Sequence, residues 1–168
     1  MIGAIVLLSA VTIERLGELW LARRNTRRLM EAGAREVAAG HYPFIVLLHA
    51  TWLAGLWLFA SNRPVSSFWF AVFALLQILR FWTLRTLGRR WTTRILVVPG
   101  EKLVTDGPYR YIRHPNYAVV IGEIAVLPLC FGLPIFALAF SVANAIMLAI
   151  RITAENAALE GTRRGGQV

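Results

Sequence analysis

A chain of 168 residues that is 57% hydrophobic, with 18 Lys and Arg against 9 Asp and Glu for a net charge of +9, is too apolar for a soluble domain, whose apolar share is about 45 to 50%. Residues 2–13, 37–62 and 124–150 contain no Asp, Glu, Lys or Arg, and the last two runs exceed the ~20 residues a helix needs to cross the hydrocarbon. The basic residues sit between apolar runs instead of forming a polar domain of their own, which argues against nucleic acid as a partner and for a topological role.

In chain order, the first helix is predicted over residues 2–21. No basic region precedes it and no small-residue cleavage site follows, so it reads as a retained helix and not a signal peptide. Glu14 and Glu18 share one face of it with Arg15 adjacent. Structural pairing or interfacial placement is the simpler reading, although buried charges in a membrane are costly enough to suggest function. Arg23, Arg24, Arg27, Arg28 and Arg35 then form a basic segment expected to stay inside, which puts the N-terminus outside. A second helix over residues 44–60 and a third over 68–84 flank a short connection carrying only Arg63, as an outer loop should. Gln77 and Arg80 lie toward the inner end of the third helix.

Residues 85–116 form the longest polar part of the chain, rich in arginine and punctuated by Pro99-Gly100 and Gly107-Pro108 turns. The last apolar stretch is broken at Phe131-Gly132-Leu133-Pro134. Reading it as one crossing would strand Arg151, Arg163 and Arg164 outside, whereas a hairpin returns them to the basic side, so helices are predicted over 117–131 and 134–152. Glu123, about two turns into the fourth helix, is placed to meet Arg80, Arg15 or a cavity. The expected fold is therefore all-α: a single polytopic membrane domain of about five transmembrane helices with a C-terminal helical hairpin. It is expected in a bacterial inner membrane, with the N-terminus outside and the C-terminus cytoplasmic.

Two clusters carry chemistry. Gly107-Pro-Tyr-Arg-Tyr-Ile-Arg-His-Pro-Asn-Tyr117 joins a turn to a helix start, offering aromatic faces, imidazole and hydroxyl groups, and backbone amides suited to an anion. An interfacial Tyr and Arg anchor is the plainer reading of the same residues. Arg151 and Glu155, four apart on one helical face, are either an ion pair or a device in which Arg151 orients an oxygen nucleophile and Glu155 binds a polar cofactor. The hairpin brings both clusters to one membrane face. His41 and His49 lack partners at ligand spacing, and the lone Cys130 cannot build a cysteine site, so no metal is expected. Trp20, Trp57, Trp69 and Trp91 read as interfacial belts or packing.

Leu103-Val104 followed by Gly107-Pro-Tyr109, then Arg113-His-Pro-Asn-Tyr117, and finally Arg151 with Glu155, resembles the isoprenylcysteine carboxyl methyltransferases and their bacterial relatives. The resemblance covers about the C-terminal half of the chain. It implies S-adenosyl-L-methionine as cofactor, held by Glu101, Lys102, Leu103, Val104, Tyr109, His114, Pro115, Asn116, Tyr117 and Glu155, with Arg151 facing the acceptor and Arg151 and Glu155 as the catalytic pair. Arg94, where the eukaryotic enzymes have a neutral amide, and Asn156, where a second acidic residue is common, depart from the pattern and bear on the acceptor more than on the cofactor.

The implied activity is S-adenosylmethionine-dependent O-methylation of a lipophilic acceptor drawn from membrane lipid, either a prenylcysteine-type carboxylate or a long-chain phenol or pyrone. A carboxylate is ionised near neutral pH, but a phenol with a pKa near 10 needs help from a cation or base. Two rivals remain open: a membrane NADPH-dependent reductase of related architecture, and a non-enzymatic scaffold or small transporter.

Overall fold

The computed structural model describes residues 2–37, 39–98 and 104–165, with side chains as far as residue 154. Five helices, α1 (Ile2–Glu31), α2 (Tyr42–Ala60), α3 (Ser67–Leu87), α4 (Pro115–Cys130) and α5 (Pro134–Gly165), run up and down between two ends of one bundle. The protein is an all-α membrane protein. Among the described residues three helices are long and apolar enough to cross a bilayer, over Ala39–Ala60, Ser67–Arg90 and Pro134–Ala154. The 16 residues of α4 extend about 24 Å at the usual rise, and α1 carries Glu14, Arg15 and Glu18 within its length.

The first helix differs from expectation, running ten residues past 21, through Arg23, Arg24, Arg27 and Arg28 to Glu31. Arginine is a good helix former, and elongating an existing helix is far easier than starting one. The basic segment is thus its last turns and not a loop. Likewise α5 continues to Gly165, beyond the expected 152. Helix α4 begins at Pro115, where a missing N–H costs nothing because the first helical donors are unpaired anyway.

At one end, which we call the hairpin end, α4 stops in a tight turn. Gly132 adopts φ +66°, the left-handed conformation that closes helices, while the N–H groups of Gly132 and Leu133 bond back to the carbonyls of Leu129 and Pro128 at 3.1 Å each. Pro134 then starts α5. The loop between α2 and α3 joins the same end, with the Ser66 N–H donating to the Cys130 carbonyl at 2.8 Å.

The core fills this half of the bundle: Leu8, Val11, Trp52, Leu56, Phe73, Ile124, Leu127 and Phe131 pack together and are all buried. Helices α3 and α4 approach closely because Gly122 has no side chain; a Cβ there would sit 2.7 Å from a Leu76 methyl. Outward faces are apolar instead of polar, with Leu58, Phe68, Leu75, Ile78, Ile135 and Leu138 exposed, as lipid-facing residues are.

At the opposite, basic end, short strands β1 (Arg35–Glu36) and β2 (Leu96–Val97) pair antiparallel, with Arg35 opposite Val97. The Val37 N–H donates to the Ile95 carbonyl at 3.0 Å, and so ties the segment after α1 to the segment after α3.

Candidate functional site

The site is assembled from the helix ends and the strand segment at the basic end. Asn25, 2% exposed on α1, donates its amide to the carbonyls of Gly88 at 3.0 Å and Trp91 at 2.9 Å. This pins the chain leaving α3 and places Trp91-Thr92-Thr93 over the bundle. Arg94 donates to Glu36 at 2.7 Å and lies 4.8 Å over the Tyr42 ring. The Glu36 carboxylate beside it raises the Arg94 pKa above its ordinary value.

Tyr117 is the centre. Its ring is buried, with His114 stacked on it at 5.2 Å and 12° between planes and the Arg151 guanidinium 5.7 Å from its centroid. Arg151 crosses from α5, donating Nε to the Tyr117 hydroxyl at 3.0 Å and Nη1 to the Thr93 carbonyl at 2.8 Å. The Thr93 hydroxyl in turn shares a hydrogen bond with the Tyr42 hydroxyl at 3.1 Å. Four separate parts of the chain, α2, the strand segment, the start of α4 and the middle of α5, are thereby held in one polar layer. The Nη2 group of Arg151 forms no hydrogen bond to any described residue.

Beneath that layer lies a cavity of about 300 Å³. Asn116, Tyr117, Thr93 and Arg151 line it near the basic end, Leu16, Val46, Leu53, Val120 and Met147 supply apolar walls, and Arg15, Glu18, Arg80, His49 and Asn144 line it as well. Beside it an ion-pair network joins three helices. Arg80 on α3 is held by Glu18 and by Glu123 at 2.6 Å; Arg15 reaches Glu123 at 3.1 Å and Glu18 at 3.2 Å; and Gln77 donates to Glu123 at 2.8 Å. Glu14 lies 3.3 Å from Arg15. Structural pairing of Glu14 and Glu18, one of the readings open from sequence, is what these contacts show, and Glu123 meets both Arg80 and Arg15.

The residues singled out from sequence fall in three groups. Asn116, Tyr117 and Arg151 meet at the cavity, with His114 stacked above. Pro115 is buried as the first residue of α4, Tyr109 lies half-buried in a 3-10 turn over Gly107–Arg110, and Val104 is half-buried beside the same segment. Glu101, Lys102 and Leu103 lie outside the described residues, as does the side chain of Glu155, whose backbone lies one turn beyond Arg151 on α5. Sequence reasoning missed Tyr42, Thr93, Asn25 and Asn144 and took Trp91 for an interfacial belt or packing, although its indole N–H is buried without a partner among the described residues and the residue lines the cavity.

Comparison with known proteins places these features in a family. Residues 69–161 match the model of the isoprenylcysteine carboxyl methyltransferase family. An uncharacterized protein of Bacillus subtilis, YpbQ, is 39% identical over 160 residues, covering 92% of this chain and 95% of that protein. An uncharacterized protein of Haemophilus influenzae is 23% identical over 159 residues, covering 86% and 88% respectively.

Proposed function

We propose that this chain, which belongs to the isoprenylcysteine carboxyl methyltransferase family, is an S-adenosylmethionine-dependent membrane O-methyltransferase that acts on a lipophilic acceptor. The observation that carries the reading is the convergence of Asn116, Tyr117 and Arg151, from either side of the hairpin, on one cavity at the basic end of the bundle. A cluster that served only as an interfacial anchor would need no cavity beneath it.

The residues present suit the cofactor. The stacked His114 and Tyr117 rings offer a π face to a heteroaromatic base or a cationic sulfonium, and the unpartnered Trp91 indole N–H and the Asn116 amide offer polar contacts. Val104, Tyr109 and Glu155, with Glu101, Lys102 and Leu103, complete the proposed binding set. S-adenosylmethionine supplies a methyl group on a sulfonium that is already electrophilic. The protein's task is therefore alignment and exclusion of water.

Arg151 performs the alignment. With Nε and Nη1 committed to Tyr117 and Thr93, its guanidinium is locked in place, and Nη2 is left to hold an acceptor oxygen and stabilise its negative charge. The apolar walls admit an alkyl or prenyl chain from the bilayer. The clustering of arginines at the basic end, against Arg63 at the hairpin end, favours a cytoplasmic basic end.

Calorimetry of the detergent-solubilised protein with S-adenosylhomocysteine tests the reading. The wild type is expected to bind, Tyr117→Ala and Glu155→Ala to bind at least about tenfold more weakly, and Arg151→Ala to keep its affinity while methyl transfer to a long-chain phenol or carboxylate falls at least about a hundredfold. Binding of NADPH in place of S-adenosylhomocysteine would replace the proposal with a reductase.

A further inference from the structure

The segment from Gly107 to Tyr117 has two sides. Asn116 and Tyr117 line the cavity, but Arg110, Tyr111, Ile112 and Arg113 are all exposed on the outside of the bundle, Tyr111 to 74%. A tyrosine and an isoleucine left bare between two arginines are unfavourable in water. At a membrane interface they are favourable, because rings sit at headgroup level there and arginine side chains lay their stems on apolar surface while the guanidinium stays wet.

This outer side rests on α3. Gly107 opens its 3-10 turn with φ +58°, and a Cβ there would lie 2.4 Å from the Thr86 hydroxyl and 3.2 Å from the Trp82 indole nitrogen. Only glycine lets the turn press so closely on the helix. The Tyr111 ring thereby comes to 6.5 Å from that of Trp82. Along α3 itself, Leu75, Ile78 and Trp82 are exposed at spacings of three and four, one lipid-facing ridge. Arg85, also exposed, follows Trp82 by one turn toward the basic end. Two elements therefore present a single surface, whose apolar part is Trp82, Tyr111 and Ile112 and whose charged part is Arg85, Arg110 and Arg113.

The charge on this surface is uncompensated. Arg85, Arg110 and Arg113 form no hydrogen bond or ion pair with any described residue, whereas Arg94 at the same end has Glu36. The exposed arginines at the end of α1 are arranged differently. Arg23, Arg24, Arg27 and Arg28 spread round more than one face of a single helix, and Arg24 lies 5.6 Å over the ring of Trp20 on that helix. Arg85 and Arg110 come instead from two elements joined at the Gly107 contact, and guanidinium forks match a phosphate group well.

We propose that this surface binds an anionic phospholipid, the headgroup phosphate being held by Arg85 and Arg110 and the acyl chains lying along the Trp82, Ile78 and Leu75 ridge. The unbroken ridge is what selects a lipid over a soluble phosphate. A lipid bound there bears on the turn that carries Tyr109 and leads into His114.

The test is native mass spectrometry of the full chain in detergent micelles, titrated with phosphatidylglycerol or with phosphatidylcholine of the same acyl chains and read as the dissociation constant of the first adduct. The wild type is expected to bind phosphatidylglycerol at least about fivefold more tightly. Arg85→Gln combined with Arg110→Gln should bring the two affinities within about twofold of each other. Arg23→Gln combined with Arg27→Gln removes the same charge from α1 and should leave the preference as it is in the wild type. Thermal unfolding in the same micelles checks that both double variants are folded. Equal wild-type affinities, a preference that survives loss of Arg85 and Arg110, or an equal loss in both double variants overturns the inference.

Discussion

The two halves of the bundle solve opposite problems with the same five helices. Toward the hairpin end, Leu8, Leu56, Ile124, Leu127 and Phe131 fill the interior, and the helices meet through apolar side chains. Toward the basic end the same helices surround a cavity and carry charge: Arg15, Glu18 and Arg80 at one wall, backed by Glu123, and Tyr117 and Arg151 nearer the mouth. In a bilayer, where lipid tails solvate Leu as well as protein does, close packing holds one half together and directional polar contacts the other. The lesson is that stability and chemistry are separated by depth, so substitutions in the two halves should fail in different ways.

The largest effect is expected where a polar contact is itself the support. Arg80→Met removes the guanidinium that faces Glu18 and Glu123, leaving three carboxylates opposite Arg15 alone. Breaking a buried ion pair from one side costs about 3 to 5 kcal/mol, and unfolding in mixed micelles should show a loss of that order together with a loss of cofactor binding. If Arg80→Met unfolded like the wild type, the network would be an accessory and the division by depth would fail.

A smaller effect, and of a different kind, is expected from Leu127→Ala in the packed half. Leu127 is fully buried, and truncation of such a side chain costs about 2 to 5 kcal/mol through lost burial and the cavity left behind. The folded fraction should nevertheless bind S-adenosylhomocysteine with wild-type affinity, because α4 touches the cavity through Asn116, Tyr117 and Val120, two turns from Leu127. Parallel losses of stability and affinity would mean that the halves are coupled.

How much of this was legible beforehand follows the same division. The hairpin could be read from Gly132-Leu133-Pro134 because a left-handed glycine followed by a helix-starting proline is a local signal, and the arginine distribution supplied the direction. Tyr117 and Arg151 were legible because their motif has a fixed order in a family. The arginines after residue 21 misled, since charge was taken as the end of a helix whereas arginine propagates one. Tyr42, Thr93 and Asn144 carried no signal at all. A single polar residue such as Asn144 in an apolar run has no periodicity of its own, Thr93 among arginines does not stand out, and which groups they meet is decided only when distant helices pack together.

The smallest effect is the sharpest probe of the polar half. Tyr42→Phe removes one hydroxyl, and with it the bond to the Thr93 hydroxyl, while the ring that Arg94 covers stays in place. A neutral hydrogen bond contributes about 0.5 to 1.5 kcal/mol, too little to unfold the protein. Thr93, however, also accepts Nη1 of Arg151 through its carbonyl, so loosening Thr93 frees the guanidinium proposed to hold the acceptor. Turnover should fall severalfold at saturating acceptor, with affinity for S-adenosylhomocysteine unchanged, and Thr93→Val should match it because it severs the same bond from the other side. The double variant should then be no worse than either single one. Additive losses would mean that the two hydroxyls act separately and that Arg151 is held by Tyr117 alone.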